Sequence, residues 1–382
     1  MTHHGAPPAA SRHTRRVVTA VLVPCALATL VALIILWPAR ITPAPDTSGG
    51  QRALGTVETV SAQSATVRIT DGPGAGTTQT VDAQQGPGAI ELRPGAKVVL
   101  LYQPDAVPGG PSYSVTDAQR SAPLLWLAAL TLAAIVAFGR WRGLTSLAGL
   151  AVSFAILLLF VLPAIAHGES PLLVAVVGAS AIMFAAMYLT QGVSVVTSVA
   201  VAGTLASLVL TGLLGFGFTT AMNLSGVADD NTSSLLTTFH GIDLHGLLLA
   251  GIVIGALGVL IDITVGQAVT VAEMALGHTS RWDLYRAATR VGQAHVAAAV
   301  NTIILAYAGT SLPLLLLIAA NNGPVGDLLT SEFIGEEIIR SAVGTIGLVA
   351  SVPITTALAT LVVEVGPSVP ATSGRHARQC QT

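Results

Sequence analysis

The chain has 382 residues, of which 52% are hydrophobic and 9% charged, and its formal net charge is −2. Soluble domains carry about 25% charged residues, so this composition excludes a water-soluble fold; it also excludes disorder, which needs few apolar residues and high net charge. Two cysteines, Cys25 and Cys380, are too few for a disulfide framework or a zinc site, and no basic excess speaks for nucleic acid as a partner.

In chain order, the first apolar run covers residues 17–37, behind Arg12, Arg15 and Arg16. It exceeds the roughly 7–15 apolar residues of a cleavable signal. The nearest small-x-small site, Thr42-x-Ala44, is followed by Pro45. An uncleaved anchor helix is expected, with residues 1–16 as a cytoplasmic tail.

Residues 45–121 alternate polar and apolar side chains in runs at 53–61, 65–70, 77–82, 97–102 and 112–116. Turn sequences separate them, such as Asp71-Gly72-Pro73-Gly74 and Arg93-Pro94-Gly95. Short β-prone runs with such breaks predict a small β-barrel or sandwich, and an OB-like barrel is one form it could take. Arg52, Arg68, Arg93 and Lys97 are scattered and aromatic platforms are nearly absent, so this segment is not expected to bind nucleic acid. Gly72-x-Gly74-x-Gly76 reads as a turn, not a phosphate loop.

Further apolar runs occupy residues 123–138, 144–166, 171–190, 193–218, 246–266, 295–319 and 338–363. About 20 apolar residues cross the hydrocarbon of a bilayer, so these runs and the anchor predict eight spans. Cytoplasmic loops are rich in arginine and lysine. A cytoplasmic start places Arg140 and Arg142, then Arg281, Arg286 and Arg290, then Arg375 and Arg378 inside. The opposite loops are acidic, with Asp229, Asp230 and Asp243 in one and Asp327, Glu332, Glu336 and Glu337 in the other. The predicted architecture is an α-helical polytopic membrane bundle of about eight helices, with a small extracellular β domain inserted after the first. Residues 122–364 form the seven-helix part, residues 365–382 a cytoplasmic tail, and the setting is the plasma membrane with both termini cytoplasmic.

Ionisable side chains inside hydrocarbon cost at least about 2.5–3.5 kcal/mol at the helix centre, so each needs a reason. Asp262 follows Gly251, Gly255 and Gly258 at helical steps, and this small-residue stripe is expected to pack against a neighbouring helix. Thr264 and Gln267 add polarity nearby. On the seventh span Ala294, Ala298 and Asn301 share a face, with Gln293 and His295 at the cytoplasmic entry and Tyr307 further along. Pro313 would break or kink that helix. Asp262 and Asn301, expected in one neighbourhood, either lock helices together by hydrogen bonds or line a permeation path with Thr264, Gln267, His295 and Tyr307. Arg340 lies one turn beyond Glu336 and Glu337, which predicts an ion pair within the helix. Glu364 closes the last span.

His240-Gly-Ile-Asp243-Leu-His245 matches no metal-ligand spacing. There is no Gly-x-Gly-Asp pair, Gly-x-Ser-x-Gly elbow or Walker-type Gly-Lys-Ser/Thr sequence, so neither an enzyme nor an ATP-driven pump is expected. No metal and no cofactor are expected either.

Three stretches carry a family resemblance. They are Gly246-Leu-Leu-Leu-Ala-Gly251-Ile-Val-Ile-Gly255-Ala-Leu-Gly258-Val-Leu-Ile-Asp262-Ile-Thr264, then Asn301-Thr-Ile-Ile-Leu-Ala-Tyr307-Ala-Gly309-Thr-Ser-Leu-Pro313, then Arg340-Ser-Ala-Val-Gly344-Thr-Ile-Gly347 followed by Pro353-Ile-Thr355. Over about residues 120–364 the chain resembles the YibE/F family of bacterial multi-spanning membrane proteins. The resemblance implies this architecture, with an extracellular β domain after a first anchor, and no defined biochemical activity. Relatives often carry paired acids where this chain has Ile261-Asp262, and an Asp before the His where Ala294 precedes His295.

Two functions suit these features. One is a secondary transporter or permease for a small solute or ion, although no inverted repeat is visible. The other is a non-transporting scaffold, receptor or envelope-assembly factor whose β domain binds an extracellular protein or small ligand. The lipid bilayer is a partner under both.

Overall fold

The computed structural model describes residues 12–38, 51–61, 63–82, 89–103, 113–227, 232, 235–236, 239, 241–313, 315–316 and 332–365. Expectations attached to Asp229, Asp230, His240, Asp327, Arg375, Arg378 and Cys380 lie outside the described residues. The chain forms two compact units, Thr42–Gly143 and, together, Met1–Ile41 with Leu144–Thr382.

The first unit is built on one antiparallel sheet of five strands: β1 (Gln51–Val60), β2 (Ser64–Asp71), β3 (Thr78–Asp82), β4 (Lys97–Tyr102) and β5 (Tyr113–Ala118). Their order is β3-β2-β1-β4-β5. Alternation drives it, since side chains at every second position point to one face. Ala53, Val57, Val67, Ile69, Val98 and Leu100 are buried on that face. β1 is long enough to pair with β2 and β4, and its register shifts at Leu54/Gly55 and Val57/Thr59 sharpen its bend. Gly55 is required there, because a Cβ would collide with Val67 Cγ1. Successive antiparallel pairings make β3 and β5 run the same way, and the curled sheet brings them close. This is the order of an OB-type barrel, and no second sheet, as a sandwich would need, occurs among the described residues. Two of the scattered cations are paired, Arg68 with Glu58 and Arg93 with Glu91.

The helices are α1 (Arg12–Ile35), α2 (Ser121–Ile156), α3 (Leu162–Ala166), α4 (Pro171–Gln191), α5 (Val195–Ala221), α6 (Leu244–Met274), α7 (Arg281–Thr310) and α8 (Glu332–Val362). Among the described residues seven helices are long and apolar enough to cross a membrane, where the sequence predicts eight spans. The difference lies in α2, which continues through a π turn (Leu157–Val161) into α3 as one stretch of 46 residues. At 1.5 Å per residue an unbroken helix of that length would measure roughly 70 Å, over twice the ~30 Å of hydrocarbon. The stretch is not one straight rod, since Arg140 has φ 50 and ψ −128, off the helix. Ser121–Gly143 accordingly groups with the sheet, on the far side of that break.

In the second unit α5, α6 and α8 pack mutually, with α4 against α6 and α1 against α4 and α5. α7 begins at Arg281, well before the apolar run expected from residue 295. Its charged first half reads as loop by hydropathy, yet Leu284, Ala287, Ala288 and Gly292 are buried as one amphipathic face. It ends at Thr310, just before Pro313. At the start of α8, Glu332 Oε1 accepts from Ser225 Oγ at 2.6 Å and from Gly226 N at 3.1 Å, tying that turn to α8.

Candidate functional site

The predicted polar residues fall on opposite sides of α6. Successive helical residues turn by about 100°, so Thr264 lies some 200° from Asp262. Thr264 and Gln267 are buried, whereas Asp262 is exposed in line with Gly251, Gly255 and Gly258. A Cβ at Gly251 or Gly258 would meet no atom of the described residues. Gly251 and Gly258 therefore pack on no neighbouring helix among the described residues, whereas Gly255 faces Tyr307 of α7. Ala294, His295, Ala298 and Asn301 on α7 are exposed as well, and no hydrogen bond joins Asp262 to Asn301.

Thr264 and Gln267 instead belong to a buried polar seam between α5, α6 and α8. Thr264 Oγ1 lies 2.6 Å from Thr204 Oγ1 of α5. Gln267 Nε2 donates to Thr356 Oγ1 of α8 at 2.7 Å and to Ala288 O of α7 at 3.0 Å, so one amide joins three helices. Ser207, Thr211, Ser351 and Thr355 extend the seam, each with 0% exposure. Glycines admit these side chains. A Cβ at Gly203 would collide with Thr355 Oγ1, one at Gly347 with Thr211 Oγ1, and one at Gly292 would lie 2.7 Å from Gln267 Oε1.

The hydroxyls share a donor habit. Thr204, Ser207, Thr211, Thr264, Ser351 and Thr356 are each placed to donate to a carbonyl three or four residues back on their own helix. What they turn toward neighbouring helices is mainly lone pairs. Thr355 Oγ1 is buried without a hydrogen-bond partner. The seam thus offers mainly acceptors, and the Thr355 hydroxyl is left free to donate or to accept.

Tyr307 marks a second feature. It is half-buried in a cleft of about 250 Å³ between α6, α7 and α8, with Gly255, Ala256, Ala306, Thr310 and Gly344 among the walls. A Cβ at Gly255 would stand 3.8 Å from the Tyr307 hydroxyl, an ordinary van der Waals contact. Arg340 Nη1 donates to Glu337 Oε2 at 2.9 Å, and Nη2 lies 4.0 Å from Glu336 Oε2. Gly344 is one turn beyond Arg340 on the same face, so the ion pair flanks one end of the cleft.

Thr204, Ser207, Thr211, Ser351, Thr355 and Thr356 are additions to the residues that sequence reasoning selected. Their signal was present as hydroxyls at three- and four-residue steps, with Gly203 and Gly347 beside them on the same helices.

A family model described as YibE/F-like protein matches residues 127–365, well over half of the chain. The chain belongs to the YibE/F-like family. The match covers α3 to α8 and most of α2, and so both the seam and the cleft of this YibE/F-like chain. No curated protein and no solved structure matches it. Family membership and seven long apolar helices together mark it as a membrane protein.

Proposed function

We propose that this YibE/F-like protein is a secondary transporter or permease of the plasma membrane, moving a small solute or ion without enzymatic chemistry. The cleft between α6, α7 and α8 carries this reading. It is an open space of about 250 Å³ between helices, walled largely by small residues and given polarity by Tyr307 and Thr310, with the Arg340–Glu337 pair one turn from Gly344. Pockets with apolar walls and a few placed polar groups are the usual form of small-molecule sites. The polar seam supports it, since buried hydroxyls and an amide recur along transport paths in apolar bundles.

The same proposal takes α2–α3 as two crossings divided at Arg140, which makes eight spans. The arginines at 140, 142, 281, 286 and 290 then lie inside with both termini, and the β domain lies outside. A second reading is a scaffold or receptor that binds an extracellular protein or small ligand through that domain. The independent core of its OB-type sheet favours it.

The test is a solute screen on the purified protein, read as a rise in melting temperature, followed by flux into vesicles. A true substrate should stabilise the wild type and lose that effect when Ala306→Phe fills the cleft. Stabilisers that act equally on both proteins, with no flux, would overturn the transporter reading.

A further inference from the structure

A second open space lies between the anchor helix and the bundle. It is a groove of about 300 Å³, walled by Val17 and Val21 of α1, Ser198 and Ala202 of α5, and Leu358 and Leu361 of α8. Its walls are hydrocarbon but for Ser198, whose hydroxyl is 3.2 Å from Tyr188 Oη and so already engaged. Nothing polar is left in it for a polar ligand to satisfy. The occupant has to be apolar, and it has to reach a groove whose far wall is open: Leu361 remains 64% exposed and Val21 56%.

The charge at one end narrows the choice. α1 starts at Arg12, α5 starts at Val195 and α8 stops at Val362, so all three walls end at the same level. Arg16 is exposed there, one residue before Val17, and it follows Arg12 and Arg15 in the first turns of α1. Glu364, two residues past the end of α8, is exposed as well. An apolar slot that ends at a basic helix start is complementary to a molecule with a long hydrocarbon chain and an anionic head. Basic pockets between helices on the cytoplasmic side are known to take acidic lipid headgroups.

We propose that this groove is a binding site for one acyl chain of an anionic phospholipid, its phosphate paired with Arg16. The lipid fills the space that α1 leaves, and so joins the anchor to the bundle. α1 buries little of itself against the protein: among its described side chains only Leu22 is buried, against α4 and α5. The proposal rests on the chain being a membrane protein and is independent of whether it transports anything.

The full-length protein, purified in detergent, is titrated with phosphatidylglycerol and with phosphatidylcholine of identical acyl chains. Melting temperature and retention of lipid by native mass spectrometry are read together. Phosphatidylglycerol is expected to raise the melting temperature saturably by about 3 °C or more beyond phosphatidylcholine, and to be retained. Arg16→Gln should reduce the phosphatidylglycerol effect to that of phosphatidylcholine. Ala202→Phe, which fills the groove, should abolish both responses. Should that variant fail to fold, Leu361→Trp narrows the groove from its exposed wall and should weaken both. Equal responses of the wild type to the two lipids, an undiminished preference in Arg16→Gln, or full binding by a folded groove-filled variant would each overturn the site. A chain that remains soluble without detergent would overturn the membrane reading instead, so the two failures are told apart.

Discussion

The hydroxyl of Thr204 on α5 meets that of Thr264 on α6 at 2.6 Å, and both side chains have 0% exposure. Each is also placed to donate to its own helix, Thr204 to Ala200 O at 2.9 Å and Thr264 to Leu260 O at 2.8 Å. Two protons cannot serve three contacts, so one hydroxyl gives up its backbone bond to reach the other. The pair therefore couples the two helices. Thr204→Val and Thr264→Val should each destabilise by about 0.5–1.5 kcal/mol, and the double variant by less than their sum. A denaturation cycle in detergent checks this, and strict additivity would show the contact to be idle.

Gln267 works as a donor, since Nε2 alone makes both of its cross-helix bonds. Gln267→Glu loses that donor and buries a charge, whereas Gln267→Met loses the bonds but keeps the volume. The Glu variant should cost about 3 kcal/mol or more and the Met variant clearly less. Melting temperatures of the two proteins decide it. A Glu variant as stable as wild type would mean that the amide is not the link between α6, α7 and α8.

Gly347 is tested through its neighbour. A Cβ there would strike Thr211 Oγ1, so Gly347→Ala should destabilise by about 1–3 kcal/mol. Thr211→Ala removes the struck atom and should recover a large part of the loss. Failure of the second change to rescue the first would place the cost elsewhere in α8.

The β domain has its own test. Residues 45–120 expressed alone should give a strand-type circular dichroism spectrum and melt cooperatively. Tyr113 Oη donates to Pro73 O at 3.0 Å, pinning the turn between β2 and β3, and its ring lies 4.9 Å from that of Tyr102. Burial, and secondarily Tyr102, pushes the Tyr113 hydroxyl above its ordinary value of 10.0. A group whose folded value is raised adds stability that is complete below the unfolded value and disappears as pH rises through the folded one. The domain should therefore lose stability as pH climbs above about 10. Tyr113→Phe should cost about 1 kcal/mol at neutral pH and flatten part of that alkaline loss. An unchanged alkaline profile in the variant would remove Tyr113 as its source.

Topology is open to chemical labelling. In a background with Cys25→Ser and Cys380→Ser, a cysteine placed at Ser225 should react with an impermeant maleimide on intact cells. One placed beside Arg281 should react only after lysis. The reverse pattern would invert the proposed orientation.

Much of this fold can be read locally. The strands β1 to β5 follow period-two alternation broken by Gly and Pro turns, and the long helices follow apolar length, because both are properties of adjacent residues. Helical spacing also showed which residues share a face, such as Gly251, Gly255, Gly258 and Asp262. It did not show which face looks inward. A helix that is apolar all round has no hydrophobic stripe to orient it, so Asp262 and Thr264 were equal candidates for the interior until α5 and α8 were in place. The order of the strands and the approach of β3 to β5 likewise depend on partners distant in sequence. The amphipathic start of α7 at Arg281 read as loop, because its charges outweigh Leu284 and Ala288 in any hydropathy sum. The seam itself is a tertiary product. Thr204 and Thr264 make one contact across helices and Gln267 and Thr356 another, while glycines at 203, 292 and 347 leave room for the side chains of Thr355, Gln267 and Thr211 from neighbouring helices. Close packing of small residues, chosen across helices and not along them, decides which polar groups end up together.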